Sequence, residues 1–199
     1  MRIYLVRHGE TVWNVEKRLQ GWKDSPLTEN GLRNAERLAE RLDGTRIDRI
    51  FSSDQKRALT TAQIIAKGRG IPVEVISELR ELNFGSWEGM TLFEIEDKYP
   101  MEYKTYKRNP DKYTSVGGES IEKLFNRVEN ALRRISTCGE ESVLVVTHGV
   151  TLRAVMAYIS GQGMEGFAKT PVFIGTSLTE VELTEREYRI IRTADADHL

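Results

Sequence analysis

Apolar residues follow two alternating patterns along this chain. Short apolar runs, typical of buried strands, occur at residues 3–6, 47–51, 73–76 and 143–146. Between them, apolar residues recur every three or four positions, as on one face of a helix, at residues 32–42, 58–66, 121–135 and 150–159. Thr28 precedes the first helix as a plausible N-cap, and Ser120 directly precedes the third.

Two further apolar stretches, at residues 177–183 and 187–192, flank a polar turn and predict a hairpin. Because strands alternate with helices elsewhere, the pattern predicts an α/β sandwich whose sheet is mostly parallel, with an antiparallel edge supplied by the hairpin. At 199 residues the chain is the size of one domain, and we expect residues 1–199 to form one.

A segment from about residue 83 to residue 118 interrupts this rhythm, and we interpret it as an inserted lid or small subdomain. It holds seven aromatic residues: Phe84, Trp87, Phe93, Tyr99, Tyr103, Tyr106 and Tyr113. Most of them are expected to form the small core that such an insertion needs, since aromatic side chains bury large apolar areas. Its basic residues, Lys98, Lys104, Lys107, Arg108 and Lys112, are expected to be solvated or to steer anionic substrates.

Charge and cysteine content narrow the class of protein. The net charge is −1, which argues against a nucleic-acid-binding protein, since such domains usually carry a strongly basic face. Cys138 is alone, so an intrachain disulfide is excluded and a reducing, cytoplasmic compartment is expected. No stretch is long and apolar enough for a secretory signal or a membrane span, so we expect no membrane partner.

Two of the three histidines stand in matching contexts. His8 follows the first apolar run and precedes Gly9, and His148 follows the fourth run and precedes Gly149. Because ligands of open α/β sheets sit beyond the carboxyl ends of the strands, both imidazole rings are expected to converge on one crevice. The third histidine, His198, is penultimate and is expected in a frayed tail.

Arginines near the same strand ends suggest that the crevice binds an anion. Arg7 is adjacent to His8, and Arg57 lies in the first turn of the helix that follows the second strand. Guanidinium groups match phosphate oxygens, and a helix N-terminus adds backbone N–H donors. In such a pocket a neutral imidazole can attack phosphorus while the remaining cations stabilise the transferred group. Glu81, which follows the third strand and opens the insertion, is the carboxyl group that we expect to protonate the leaving group.

Five motifs in these regions resemble, in order, those of the histidine phosphatase superfamily, which includes the cofactor-dependent phosphoglycerate mutases. They are residues 5–11 (LVRHGET, with Asn14 following), 52–62 (SSDQKRALTTA), 81–89 (ELNFGSWEG), 117–120 (GGES) and 146–149 (VTHG). The resemblance covers nearly the whole chain. It implies a three-layer α/β/α sandwich and a metal-independent phosphatase without a cofactor.

The resemblance also implies a role for each matching residue. His8 is the nucleophile, Arg7, Arg57 and His148 bind phosphate, and Glu81 is the proton donor. Asn14 and Gln20 match positions that line the phosphate pocket, Gly149 matches the phosphate-binding His-Gly pair, and Glu119 and Ser120 match a segment that closes the rim. The expected partner is a small phosphorylated metabolite.

Other signals are weaker. Residues 161–166 spell G-x-G-x-x-G but follow a predicted helix and open no convincing one, so they are not expected to bind a dinucleotide. Zinc binding at His8 and His148 is disfavoured because no cysteine lies near them in sequence and the adjacent arginines would repel a cation. An ATP-dependent kinase is unlikely because no Walker-type phosphate loop occurs.

Three functions share the predicted pocket. The leading hypothesis is a phosphomonoesterase, with a phosphoglycerate mutase and a non-catalytic phosphoprotein binder as alternatives. The short insertion lacks the adjacent arginine pair of the resembling mutases, which favours hydrolysis, and a binder has no need of both His8 and Glu81. A specific phosphatase for phosphoserine or α-ribazole phosphate also remains open, as does the choice between a monomer and an edge-to-edge homodimer.

Overall fold

The computed structural model describes residues 1–185 and 187–199, and it excludes the side chain of Asp111. Its strands are β1 (Arg2–Arg7), β2 (Arg49–Ser52), β3 (Val73–Val75), β4 (Ser142–Thr147), β5 (Leu178–Leu183) and β6 (Tyr188–Asp195). They form one sheet in the order β3-β2-β4-β1-β5-β6. Strands β1 to β4 pair in parallel, while β5 pairs antiparallel with β1 and β6 pairs antiparallel with β5. The predicted α/β class, with a mostly parallel sheet and an antiparallel edge, is confirmed.

The four predicted helices are present with similar bounds: α2 (Glu29–Arg41), α3 (Lys56–Ala66), α6 (Ile121–Ser136) and α7 (Gly149–Ile159). The hydroxyl groups of Thr28 and Ser120 cap α2 and α6 by accepting hydrogen bonds from Gly31 N and Lys123 N. The short helices α1 (Val12–Val15), α4 (Leu92–Lys98), α5 (Pro100–Arg108) and α8 (Gly163–Lys169) were not predicted. Helix α8 corrects the expectation that residues 161–166 open no helix, although this segment still follows a helix.

The sheet is covered on both faces because successive residues of a strand point to opposite sides. In β4, Val143 and Val145 belong to the core cluster that includes buried residues of α6 and α7. Leu144 and Val146 belong to the cluster that includes buried residues of α2 and α3. Strand β4 is fully buried along its length, as the uninterrupted apolar run at residues 143–146 predicts.

The segment between Asn83 and Glu119 contains α4, α5 and an aromatic cluster centred on Trp87. The ring of Trp87 contacts four tyrosines at centroid distances of 5.1–6.3 Å: Tyr99, Tyr103, Tyr106 and Tyr113. Phe84 packs edge-on against Tyr106, whereas Phe93 is 79% exposed. The expectation that most of these aromatic residues form a small core is therefore confirmed.

The C-terminal part of the chain lies along the antiparallel edge. Arg186, in the predicted hairpin turn, lies outside the described residues, and β5 and β6 flank it. The expectation of a frayed tail around His198 is wrong, because this residue is half-buried and its Nε2 lies 3.4 Å from Thr176 Oγ1. Among the residues described, no helix has the length and apolar character needed to cross a membrane.

Candidate active site

The carboxyl ends of β1 and β4 bring the two histidines together, because these strands are parallel neighbours in register. His8 directly follows β1 and His148 directly follows β4. Their ring centroids lie 5.2 Å apart with the planes tilted by 56°. Both residues are almost completely buried. The two imidazole rings are neighbours, as the sequence predicts, and His8 lines the crevice.

The geometry around His8 leaves one ring nitrogen free to act as a nucleophile. Its Nδ1 lies 2.7 Å from the carbonyl oxygen of Gly9, a contact that is a hydrogen bond when Nδ1 carries the proton. The lone pair is then on Nε2. Burial lowers the pKa of His8 well below its ordinary value, and the charges of Arg57 and Arg7 lower this pKa further. The ring is therefore neutral near pH 7.

His148 stands at the N-cap position of α7, with both ring nitrogens buried and without a hydrogen-bond partner among the described residues. Burial lowers its pKa well below the ordinary value, with additional contributions from Arg57 and His8. A buried polar group without a partner is costly. This ring therefore has unused hydrogen-bonding capacity, although His148 does not itself line the crevice.

The two predicted phosphate-binding arginines are both buried beside these rings. Arg7 contacts the carbonyl oxygen of Phe173 through Nη1, and its Nε is buried without a described partner. Arg57 has a side chain with 0% exposure, and it donates to Asp24 Oδ1 at 2.8 Å and to Gly21 O at 2.8 Å. Its Nε also lacks a described partner. Burial lowers the pKa of both guanidinium groups, yet each remains a cation near neutral pH.

Backbone N–H groups at the start of α3 are not available to an anion. Lys56 N and Arg57 N lie 2.9 and 3.4 Å from the carboxylate oxygens of Asp24. Asp24 therefore occupies the position in which the sequence predicted backbone donors for phosphate, and it also forms an ion pair with the Arg57 side chain. At this helix the phosphate-binding capacity that remains is that of the Arg57 side chain.

Glu81 lines the crevice at the N-terminus of α7. Its Oε1 accepts hydrogen bonds from Leu82 N at 2.9 Å and from the backbone N and the hydroxyl group of Thr151 at 3.1 and 3.2 Å. Its Oε2 accepts one bond, from Val150 N at 3.1 Å. Oε2 therefore has the freer lone pairs and is the oxygen better placed to carry a transferable proton.

The predicted pocket residues Asn14, Gln20 and Gly149 also line the crevice. Gln20 Nε2 donates to Thr11 Oγ1 at 2.7 Å, while its Oε1 has no described partner. Gly149 lies where the backbone must approach the site closely. A Cβ atom at this position would lie 3.5 Å from Arg7 Nε and 3.8 Å from Glu81 Oε2, between the two predicted functional groups.

The structure does not bring Glu119 and Ser120 to the cavity, so their expected place at its rim is corrected. The carboxylate of Glu119 is bound by the guanidinium group of Arg127 and by Asn83 N. The hydroxyl group of Ser120 caps α6. Both side chains are thus used within the scaffold, next to the segment that carries Glu81.

The crevice has a volume of about 330 Å³ and extends from the histidines toward the inserted segment. Its outer wall contains Phe84, Tyr103, Tyr106, Lys107 and Arg153. Arg153 hydrogen-bonds the hydroxyl group of Tyr106, and its Nε is buried without a described partner. Burial raises the pKa of Tyr106 to about 12, so its hydroxyl group stays protonated.

Sequence reasoning missed Arg153, Thr151 and Asp24 as parts of this site. Thr151 lies three residues after His148, and a hydroxyl residue in the first helical turn is a weak signal for such a contact. Arg153 carries no signal beyond its charge. Within residues 1–185 and 187–199, no three histidine, cysteine, aspartate or glutamate side chains form a group that could hold a metal ion.

The chain is similar to known proteins in both sequence and fold. A family model described as "Histidine phosphatase superfamily (branch 1)" matches residues 3–196. The chain is 37% identical over 201 residues to the "Metal-independent phosphoserine phosphatase" of Arabidopsis thaliana, covering 99% of this chain and 82% of that protein.

Solved structures with the same architecture are also similar. YhfR of Bacillus stearothermophilus superposes with a TM-score of 0.94 at 38% identity, covering 99% of this chain and 98% of that chain. The α-ribazole phosphatase of Shigella flexneri superposes with a TM-score of 0.89 at 26% identity, covering 98% of each chain.

Proposed function

This chain belongs to the histidine phosphatase superfamily, and from that premise we propose that it hydrolyses small phosphate monoesters through a phosphohistidine formed on His8. The observation that carries the proposal is a set of buried nitrogen atoms without hydrogen-bond partners around one neutral imidazole. Arg7 Nε, Arg57 Nε and the ring nitrogens of His148 are all buried without described partners beside His8. A phosphoryl group supplies acceptor oxygens for the two guanidinium N–H groups and for the single ring N–H of a neutral His148.

The first step forms a bond from His8 Nε2 to phosphorus and breaks the bond from phosphorus to the ester oxygen. The Nδ1 proton stays on the carbonyl side of the ring, where Gly9 holds it. Arg7, Arg57 and His148 stabilise the charge on the phosphoryl oxygens. A proton passes from Glu81 to the departing oxygen, and the alcohol leaves.

The second step reverses the roles of these groups. Glu81 accepts a proton from water, whose oxygen attacks phosphorus while the bond to Nε2 breaks. Inorganic phosphate leaves, and the protonated Glu81 is ready for the next substrate. General acid–base assistance of this kind contributes roughly 10²–10⁴-fold to a rate.

The outer wall of the crevice favours a substrate that carries a second anionic group. Arg153 presents an unpartnered Nε there, and Lys107 extends over the ring of Tyr103 at 5.3 Å from its centroid. Arg7 and Arg57 lie at the histidine end and are taken by the phosphate. A carboxylate on the alcohol portion of the substrate would match Arg153 and Lys107. Phosphoserine, the substrate in the name of the Arabidopsis relative, fits this description.

A phosphoglycerate mutase is the alternative that uses the same pocket. It would need to retain the acid next to the phosphohistidine and to exclude water. Residues 83–118 contain no adjacent arginine pair that could hold the acid in this way. We therefore favour hydrolysis.

The proposal extends to a cytoplasmic location and to an oligomeric state that is either a monomer or an edge-to-edge homodimer. The lone free thiol of Cys138 supports a cytoplasmic location, because free thiols persist in reducing compartments. The outer edge of β6 is the surface through which an edge-to-edge homodimer would form. Analytical ultracentrifugation distinguishes that dimer from a monomer.

Substitution of His8 tests the proposed chemistry. The His8→Ala variant should lose all but a few per cent of phosphatase activity, and rapid quenching of the native enzyme with labelled substrate should trap an acid-labile, base-stable phosphoprotein. The matched variant His198→Ala lies outside the crevice and should retain activity. Substantial turnover by His8→Ala, or labelling that persists in it, would exclude His8 as the nucleophile. An assay with 3-phosphoglycerate and 2,3-bisphosphoglycerate then separates hydrolysis from phosphoryl return.

A further inference from the structure

We propose that Arg127, held by Glu119, is a positioning residue that fixes Glu81 for proton transfer. This inference rests on the proposed role of Glu81 as the acid. Arg127 and Glu119 lie outside the crevice, and their effect is on the protonation of the leaving group. Arg127 lies on α6 with a side chain that is 15% exposed, and the Glu119 side chain is 11% exposed.

Arg127 donates to three carbonyl groups in the segment that ends at Glu81. Its Nη1 lies 2.9 Å from Glu78 O and 2.6 Å from Arg80 O, and its Nη2 lies 3.0 Å from Glu81 O. This segment is a 3₁₀ turn (Ser77–Leu79) followed by residues outside any strand. No sheet ladder holds this segment, so side chains satisfy its backbone groups. Arg127 bonds three of its carbonyl groups, and the remaining side-chain contacts come from Trp22, Gln55, Thr147 and Thr151.

Glu119 fixes the orientation of that guanidinium group. Its Oε1 accepts from Arg127 Nε at 2.9 Å and its Oε2 accepts from Arg127 Nη2 at 2.8 Å. Such a two-point ion pair holds the planar group in a single orientation, which a lysine cannot reproduce.

The same carboxylate ties the two ends of the inserted segment together. Asn83 N donates to Glu119 Oε2 at 2.9 Å, and Glu119 N donates to Asn83 O at 3.0 Å. Glu81 is thus two residues from the point where Asn83 and Glu119 join the ends of the insertion. The ion pair between Glu119 and Arg127 connects this point to α6. The arrangement explains why the Gly-Gly-Glu-Ser motif is placed beside the acid although its side chains do not reach the cavity.

Loss of the Arg127–Glu119 ion pair, or of the hydrogen bonds from Arg127 to residues 78–81, should impair leaving-group protonation more than phosphate binding. This segment carries Glu81, whereas His8, His148 and Arg57 are carried by other elements. An alkyl ester needs a proton on its departing oxygen, while p-nitrophenyl phosphate needs little help. The value of kcat/KM reports the steps up to departure of the alcohol, so it isolates this effect from the later hydrolysis.

The experiment compares kcat/KM for p-nitrophenyl phosphate and for propyl phosphate in the native enzyme, Arg127→Lys, Glu119→Gln and Glu81→Gln. The matched control is Arg69→Lys, since Arg69 also donates to three loop and helix carbonyl groups, those of Leu42, Thr45 and Ile65, but lies away from the crevice. The ratio of the two kcat/KM values does not depend on the fraction of folded enzyme in a preparation.

In Arg127→Lys we expect the propyl-to-nitrophenyl ratio to fall about tenfold or more, as in Glu81→Gln, with a smaller fall in Glu119→Gln and none in Arg69→Lys. An unchanged ratio in Arg127→Lys, with a lowered ratio in Glu81→Gln, would overturn the positioning role and leave the acid in place. An unchanged ratio in Glu81→Gln would overturn both assignments. Retention of phosphohistidine labelling would still support His8 in either case.

Discussion

Lowering the pH should destabilise the fold through the two histidines of the crevice. His8 and His148 are both buried, and burial lowers the pKa of each well below its ordinary value. In the unfolded chain each imidazole has a pKa of about 6.5. The unfolded state therefore binds more protons than the folded state below pH 6.5. This difference makes the folded state most stable above that pH, and its stability falls as the pH drops toward the lowered values.

The magnitude follows from the number of protons taken up on unfolding. Between pH 7.5 and pH 5.5 an imidazole with a pKa of about 6.5 changes from about one-tenth to about nine-tenths protonated in the unfolded chain. If the folded ring stays neutral over this interval, each histidine removes about 1.4 kcal/mol from the free energy of unfolding. Together the two histidines should lower the free energy of unfolding by about 2.7 kcal/mol. This is a large fraction of the stability of a typical domain, which is about 5–15 kcal/mol.

The assay is urea unfolding at both pH values, followed by the fluorescence of the buried Trp87 and the other tryptophans. Aspartate and glutamate residues make the same contribution to the pH dependence of the free energy of unfolding in the native protein and in a His8→Gln/His148→Gln double variant. The double variant should therefore lose about 2.7 kcal/mol less than the native protein over the interval. His198→Gln should change the loss by a smaller amount, since His198 is only half-buried. An equal loss in native and double-variant proteins would show that the rings are not held neutral.

Three further predictions concern the crevice. Gly149→Ala should keep the melting temperature, because the added Cβ makes only ordinary contacts, but it should weaken inhibition by phosphate about tenfold, as measured by Ki, because the methyl group lies between Arg7 and Glu81. Arg153→Met should raise KM for phosphoserine about tenfold while leaving KM for p-nitrophenyl phosphate within about twofold. EDTA should leave the rate unchanged, and inactivation that added zinc or magnesium reverses would contradict the proposed metal-independent chemistry.

The convergence of His8 and His148 could be predicted because it depends on a rule of backbone geometry. Each histidine follows an apolar run, and parallel buried strands end at the same edge of a sheet. The position of Arg57 could be predicted for the same reason, since it lies in the first turn of the helix after β2. In each case the sequence position determines the spatial position through one regular element.

Residues whose role depends on irregular backbone could not be found in this way. Arg127 is one of several charged residues on an amphipathic helix, and nothing in the sequence indicates that its donors reach the carbonyl groups of residues 78–81. Glu119 was assigned to the rim for a related reason. A motif match gives proximity to the site along the chain, but it does not say whether a side chain points into the cavity or into the scaffold.

The N-termini of α3 and α7 bind carboxylates of the protein, and this affects which groups remain for the phosphate. Asp24 accepts from the first backbone N–H groups of α3, and Glu81 accepts from those of Val150 and Thr151 in α7. Both helix ends therefore hold carboxylates of the protein itself, and under the proposed mechanism we expect the side chains of Arg7, Arg57 and His148 to bind the anion. The carboxylate at α7 is the proposed acid, so this helix end serves proton transfer instead of phosphate binding. Because side-chain donors can be removed one at a time, the affinity for phosphate should respond strongly to single substitutions in this crevice.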